Sequence, residues 1–299
     1  MRVNPNVVPD IIANIQQSQV SLDTALQQVS TGKSVNLPSD NPGAAADMVQ
    51  NNIETGEVDQ YTQNVSGVLS RVESASSALS SVVTSLTQAI SLGTEGANGT
   101  NNSSDLTSLA NEVQGILTSV VSEANTSVSG SYLFSGTSTS TPFTADSTSP
   151  TGYTYNGNGN VNSVAIGENL DIPVNVSGSQ IFTNTANNVL GSLSNLATAL
   201  KGGNSADIST ATSAVTSALN YVSQQQVFYS NTEQQLNSQT TALQADTVTL
   251  ASQENNLVGV DMATAATNLS QAETDNNAAL AAAAKVLPNS LLNYLAPPS

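Results

Sequence analysis

Eight apolar residues, Ile208, Val215, Val222, Tyr229, Leu236, Leu243, Leu250 and Leu257, stand seven apart without interruption. Neither Gly nor Pro occurs between Asn204 and Val258. A spacing of seven puts one residue every two turns on a single helix face, which is the seam of a coiled coil. At ~1.5 Å rise per residue, roughly 55 such residues make a rod about 80 Å long. That length suits reaching, stacking or polymerising better than enclosing a reaction site.

Weaker ladders surround this one. Residues 7–33 carry Val8, Ile15, Leu22 and Val29 beside Ile11, Ile12, Ala25 and Leu26, and stop at Gly32-Lys33. The segment VNLPSDNPG (35–43) reads as an extended X-Pro piece entering a turn, with Pro38, Asp40, Asn41 and Pro42 shaping an inter-domain turn. A second long helix is expected over 44–92, with Val65, Val72, Leu79 and Leu86 on its face, and a third over 105–128. The pattern then turns to β: YLFSG (132–136), then Tyr153 and Tyr155 before NGNGN (156–160) and Val161, Val164, Ile166. The latter reads as a hairpin with Asn-Gly turn chemistry, with further short strands at 171–176 and 180–182. Its glycines lack the following helix and lysine of a phosphate loop. Helical periodicity resumes at 186–200, and a last helix covers 261–295.

These elements predict a mainly α fold: a long antiparallel helical bundle or coiled coil, with paired terminal helices and a small β insert. The expected division is 1–39 with 258–299, then 40–134 with 183–257, then 135–182. The expected bundle core is Val65, Val72, Leu79, Leu86, Val215, Val222, Leu236, Leu243, Leu250 and Leu257.

The chain has no His, Cys or Trp, and its lysines are Lys33, Lys201 and Lys285. The usual general base, thiol nucleophile and imidazole metal ligand are therefore missing, and neither catalysis nor a cofactor is expected. The carboxylates Asp10 and Asp23, and Glu54, Glu57 and Asp59, lack metal-loop spacing and read as solvated faces. A net charge of −17 repels nucleic acid and anionic lipid, and no apolar run is long enough to span a membrane. Residues 1–39 sum to zero and 258–299 to −2, so −15 falls in the middle. Nearly neutral ends suit close self-packing. The start MRVNPNVVPD has no apolar leader core, so export is expected by a route that reads no cleaved leader.

The ends are also energetically thin. Burying a Leu yields ~1.5–3 kcal/mol, while fixing seven residues' backbone costs roughly 7–14 kcal/mol before hydrogen bonding offsets part of it. Segment 7–33 offers two or three modest apolar groups per heptad among Gln, Ser and Asn. Both ends are therefore expected to be mostly disordered in a monomer and to order when subunits pack together.

Three stretches carry a resemblance. LDTALQQVSTGKSVNLPSDNPGAAADM (22–48) follows an MRV start; YLFSGT (132–137) precedes Pro142-Phe143 and YTYNGNGNV; and DMATAATNLSQAETDNNAALAAAAKVLPNSLLNYL (261–295) closes the chain. Together they resemble the flagellin superfamily, and within it the members that join hook to filament. The resemblance implies a structural subunit of the bacterial flagellum, exported through the flagellar type III apparatus to lie outside the cell. The implied partners are further copies of itself, a hook-side junction protein, flagellin, and a cytoplasmic export chaperone on the C-terminal segment. The rivals are a minor flagellin that builds the filament, and a secreted coiled-coil adhesion or translocation protein. Under this reading Ile15, Leu22, Val29, Leu269, Leu280, Leu287, Leu291 and Leu292 carry self-assembly. Pro288 departs from the pattern and predicts a displaced last turn.

Overall fold

The computed structural model describes residues 7–295, and the side chains of 9–285. Seven helices dominate: α1 (Val7–Thr31), α2 (Pro42–Gly96), α3 (Ser103–Ala124), α4 (Gly178–Phe182), α5 (Val189–Gly202), α6 (Ser205–Val258) and α7 (Met262–Leu295). Six short strands fall between α3 and α4: β1 (Ser127–Val128), β2 (Ser131–Tyr132), β3 (Phe143–Ala145), β4 (Tyr153–Tyr155), β5 (Ser163–Gly167) and β6 (Leu170–Pro173). The chain divides into two compact units, a terminal one of residues 1–57 with 245–299 and a central one of 58–244. The fold is mainly α with a small β insert, as its periodicities imply.

In the central unit, α2, α3, α5 and α6 share one core. Val65, Val72, Leu79 and Leu86 of α2 are buried, as are Ile208, Val215, Val222, Tyr229, Leu236 and Leu243 of α6. Two short connections turn the chain. Asn102 caps α3, its side chain accepting from the amides of Ser104 and Asp105 while Asp105 answers the Asn102 amide. Gly203, in the left-handed region at φ 73°, ends α5 and hands the chain to α6.

The insert corrects two expectations. NGNGN is not a hairpin turn: β4 pairs antiparallel with β3, and β5 with β6, so the two hairpins lie on either side of that loop. The loop instead folds back on the Ser135–Thr137 turn. Asn158 Oδ1 accepts the Thr137 amide at 3.0 Å, and Tyr155 Oη donates to the carbonyls of Phe134 and Asn158. Asn-Gly chemistry marks a tight backbone path without saying which strands flank it. Residues 180–182 form no strand; they end the short helix α4, because Ser177 accepts the Gln180 amide as an N-cap. The third helix also stops at Ala124, short of 128, where β1 begins.

Phe182 packs edge to face with both Phe134 and Phe143, and Phe143 is tilted against Tyr155, at centroid separations of 5.1–5.6 Å. This aromatic knot joins the helical core through α6: the Val176 amide donates to Tyr229 Oη at 3.2 Å. Tyr in an otherwise aliphatic ladder marks where α6 receives the insert. Burial pushes its phenol up to about 12.

Candidate functional site

The terminal unit is built around a crossing of the chain on itself. Gly32, at φ 69°, ends α1, and Gly259 ends α6 where any Cβ would strike the Asn255 carbonyl. Between them Lys33 and Gly259 form an antiparallel bridge: the Ser34 amide donates to Val258 O at 2.6 Å, and the Val260 amide to Gly32 O at 3.1 Å. Lys33 Nζ lies 2.8 Å from Glu254 Oε1. This clasp was not foreseen from sequence, although a glycine directly after each of two long periodic runs was a usable signal.

The turn expected at 38–42 is built from its own side chains. Asp40 Oδ2 accepts the amides of Asn36 and Leu37 at 3.0 and 2.8 Å. Asn41 Oδ1 accepts the Ala44 amide, and Pro42 is the first residue of α2, where a missing N–H costs nothing. Pro38 is exposed. Asp261 repeats the device at the start of α7. It accepts from the Thr264 hydroxyl and the Ala263 amide, and these bonds hold its carboxyl below the usual range.

α1 leads into the crossing and α7 leads out of it, and the two pack together antiparallel. Their seam is shallow. On α1, Ile11, Ile15, Ser18, Leu22 and Val29 are half-buried and Ala25 is buried. On α7, Ala265, Ala272 and Ala283 are buried, with Leu269, Asn276 and Ala279 half-buried between them at coiled-coil spacing. One polar atom from each helix, Ser18 Oγ and Asn276 Oδ1, is buried without a hydrogen-bond partner. Each such group costs about 1–3 kcal/mol, against a seam made largely of methyl groups.

The pair also has two unlike faces. Asn14, Gln17, Ser21, Gln28, Asn268, Gln271 and Asp275, together with the exposed Val20, line a groove of about 620 Å³ on one side. At 100° per residue, Ile12 and Leu26 of α1 and Met262 and Leu280 of α7 fall on the opposite side. They are 45–49% exposed. Farther along this unit, Asn51 is buried against α6, donating to Leu250 O at 3.2 Å, while Val49 and Ile53, on the far side of α2, stand open.

The expected assembly residues thus divide. Ile15, Leu22, Val29 and Leu269 line the α1–α7 seam, and Leu280 lies on its exposed flank; the side chains of Leu287, Leu291 and Leu292 lie outside the described residues. α7 continues through Pro288 to Leu295, so the helix is not interrupted there. Of the expected core, Leu250 is buried and Leu257 half-buried, both within the terminal unit. The alanine positions of α7 were missed because alanine reads as weakly apolar, although their four-and-three spacing was visible. Among the described residues no cluster of carboxylates could hold a metal, and no helix is long and apolar enough to cross a membrane.

Residues 8–139 match the bacterial flagellin N-terminal helical region, and 212–295 the bacterial flagellin C-terminal helical region. Flagellar hook-associated protein 3 of Escherichia coli is 35% identical over 122 residues, 40% of this chain and 38% of that protein. Flagellin 1 of Proteus mirabilis is 28% identical over 104 residues, 35% of this chain and 28% of that one. The matched stretches thus take in about two fifths or less of these relatives' length. The crystal structure of flagellar hook associated protein-3 from Legionella pneumophila superposes with a TM-score of 0.64 at 15% identity, covering 70% of this chain and 98% of that one. At that identity the likeness shows a shared fold.

Proposed function

We propose that this chain, which belongs to the bacterial flagellin family, is a structural subunit that joins flagellar hook to filament. It assembles by polymerisation-coupled ordering of its terminal helices. The observation that carries this is the α1–α7 pair: a thin alanine seam, two buried polar atoms without partners, and an apolar flank left open to water. In isolation that arrangement is marginal. Covering Ile12, Leu26, Met262 and Leu280 with neighbouring copies supplies the missing burial, at about 25 cal/mol per Å² of apolar surface. The groove on the other side, lined by amides, hydroxyls and the Asp275 carboxylate but for Val20, Ala25 and Ala272, then remains toward water.

The division of labour follows the expected segments. Residues 1–39 with 258–299 polymerise, 40–134 with 183–257 form the helical scaffold, and 135–182 face outward. The hook-side junction protein and flagellin are the proposed neighbours, outside the cell, and an export chaperone holds the C-terminal segment beforehand. The name of the Escherichia coli relative, hook-associated, supports this place over that of a filament flagellin. No catalytic role is assigned, in keeping with a family of structural proteins.

Quantitative mass spectrometry of sheared flagella tests the reading. Abundance far below that of the hook subunit is expected for a junction. Abundance rivalling flagellin would make the chain a filament subunit, and absence from the organelle would leave the adhesion or translocation alternative.

A further inference from the structure

Five basic residues serve a chain of net charge −17, and two of them, Arg71 and Lys201, fall in the central unit. Lys201 sits in the last turn of α5, where a cation opposes the helix dipole. Arg71 is placed differently. It is half-buried on α2, its Nη2 reaches Ser131 Oγ at 3.4 Å, and among the described residues no carboxylate lies within 4.0 Å of it. A cleft of about 610 Å³ opens at this guanidinium, its polar lining the amides of Gln63, Asn64 and Asn162 and the hydroxyls of Ser129, Ser131 and Ser163, and its apolar lining Val68, Val128, Val164 and Val174. No carboxylate lines it.

Three other surface grooves each carry an acid: Asp275 between α1 and α7, Asp47 and Glu54 beside Asn51, and Glu233 on α6. With acidic residues outnumbering basic ones 22 to 5, this cleft differs from those three in holding a cation and no carboxylate. A guanidinium offers five N–H donors in a fork that matches a carboxylate. One long bond to a serine leaves most of them to water. Partial burial raises the value of an incoming anion above that of an exposed pair.

We propose that this cleft receives the side-chain carboxylate of an Asp or Glu from a neighbouring copy of this chain. The proposal rests on the reading of the chain as a self-assembling subunit. Copies that each carry −17 repel when packed side by side, so lateral contact needs cations of one copy set against acids of the next. In the central unit Arg71 is the cation that stands in a concave site. A bare inorganic anion would fill little of 610 Å³, whereas a side chain arriving with its own backbone would occupy it.

The test uses the full chain in flagella of a deletion strain. R71K keeps the charge and supplies an amine that a carbodiimide couples to any carboxylate in contact. The expected product is a covalent dimer of this chain in which position 71 is bonded to an Asp- or Glu-containing peptide of the same sequence. R71E should lower incorporation about tenfold, the loss of one charge-assisted contact, with the melting of the free chain unchanged. Linkage to a different flagellar protein, or incorporation of R71E at the wild-type level, overturns the proposal. So does tight binding of inorganic phosphate to the free chain without a cross-link at position 71, which would assign the cleft to a small anion. Absence of the wild-type chain from flagella would instead fell the assembly reading first, and this proposal with it.

Discussion

The two units handle apolar surface in opposite ways. The central unit buries large side chains completely, among them Tyr229, Phe134, Phe182, Leu79, Leu86 and Leu193, and exposes only Val161, Leu170 and Val227 among large hydrophobics. The smaller terminal unit exposes Ile12, Val20, Leu26, Leu37, Val49, Ile53, Val248, Met262 and Leu280, while its buried apolar positions are mostly alanine. One unit has finished its core, and the other offers surface for completion from outside. A monomeric protein gains nothing by leaving so many large side chains open. A subunit whose terminal helices must remain extendable until it reaches its site of assembly does.

Substitutions in each unit should have unequal consequences. Leu280→Asp should have the largest effect, abolishing incorporation into flagella while leaving the melting of the central unit unchanged. Leu280 is 45% exposed in the free chain, and under the proposed function a charge there would be buried only on assembly. Restoration of filaments by that variant would remove the α7 flank from the interface. Phe182→Ala should cost the central unit ~3–5 kcal/mol in urea denaturation, because it opens the aromatic knot.

Alkali should act on the central unit as well. Folded Tyr229 keeps its proton to about 12 whereas the unfolded phenol loses it near 10. The unfolded chain therefore binds fewer protons between those values, and stability, complete below pH 10, should fall as pH rises through that window. Ultraviolet titration should show a phenol ionising near pH 12 that is lost in Tyr229→Phe. Lys33→Gln should cost ~0–1 kcal/mol in thermal unfolding, since both members of its ion pair are more than a third exposed. Smallest of all, Val248→Ser should stay within ~0.5 kcal/mol of wild type, because that side chain is 70% exposed. A loss of several kcal/mol there would show that the terminal unit already has a completed core.

The central unit was the more legible part of the sequence for the same reason. Ile208, Val215, Val222, Leu236 and Leu243 pack against large partners, so burial and heptad spacing coincide. Helix boundaries followed Gly and Pro to within a few residues, at Pro42 and Gly203 for example. Strand partners were not legible. Pairing is a property of two segments, and the NGNGN loop carries turn chemistry without turning a hairpin. The α1–α7 seam was legible at Ile15, Leu22 and Leu269 but not at Ala265, Ala272 and Ala283, where helix propensity and small-residue packing look alike in sequence. The Arg71 cleft depends on what three distant segments leave out, namely a carboxylate, and no local pattern records an omission.

Hydrogen exchange of amides 10–31 and 262–285, measured on the free chain and again on the same chain in assembled flagella, tests the contrast between the units most directly. Both segments should exchange rapidly in the verified monomer and be strongly protected after assembly, with α3 and α5 protected in both states. Strong protection of the two terminal segments in the monomer would contradict that contrast, because α1 and α7 would then be a finished pair that needs no neighbouring copy.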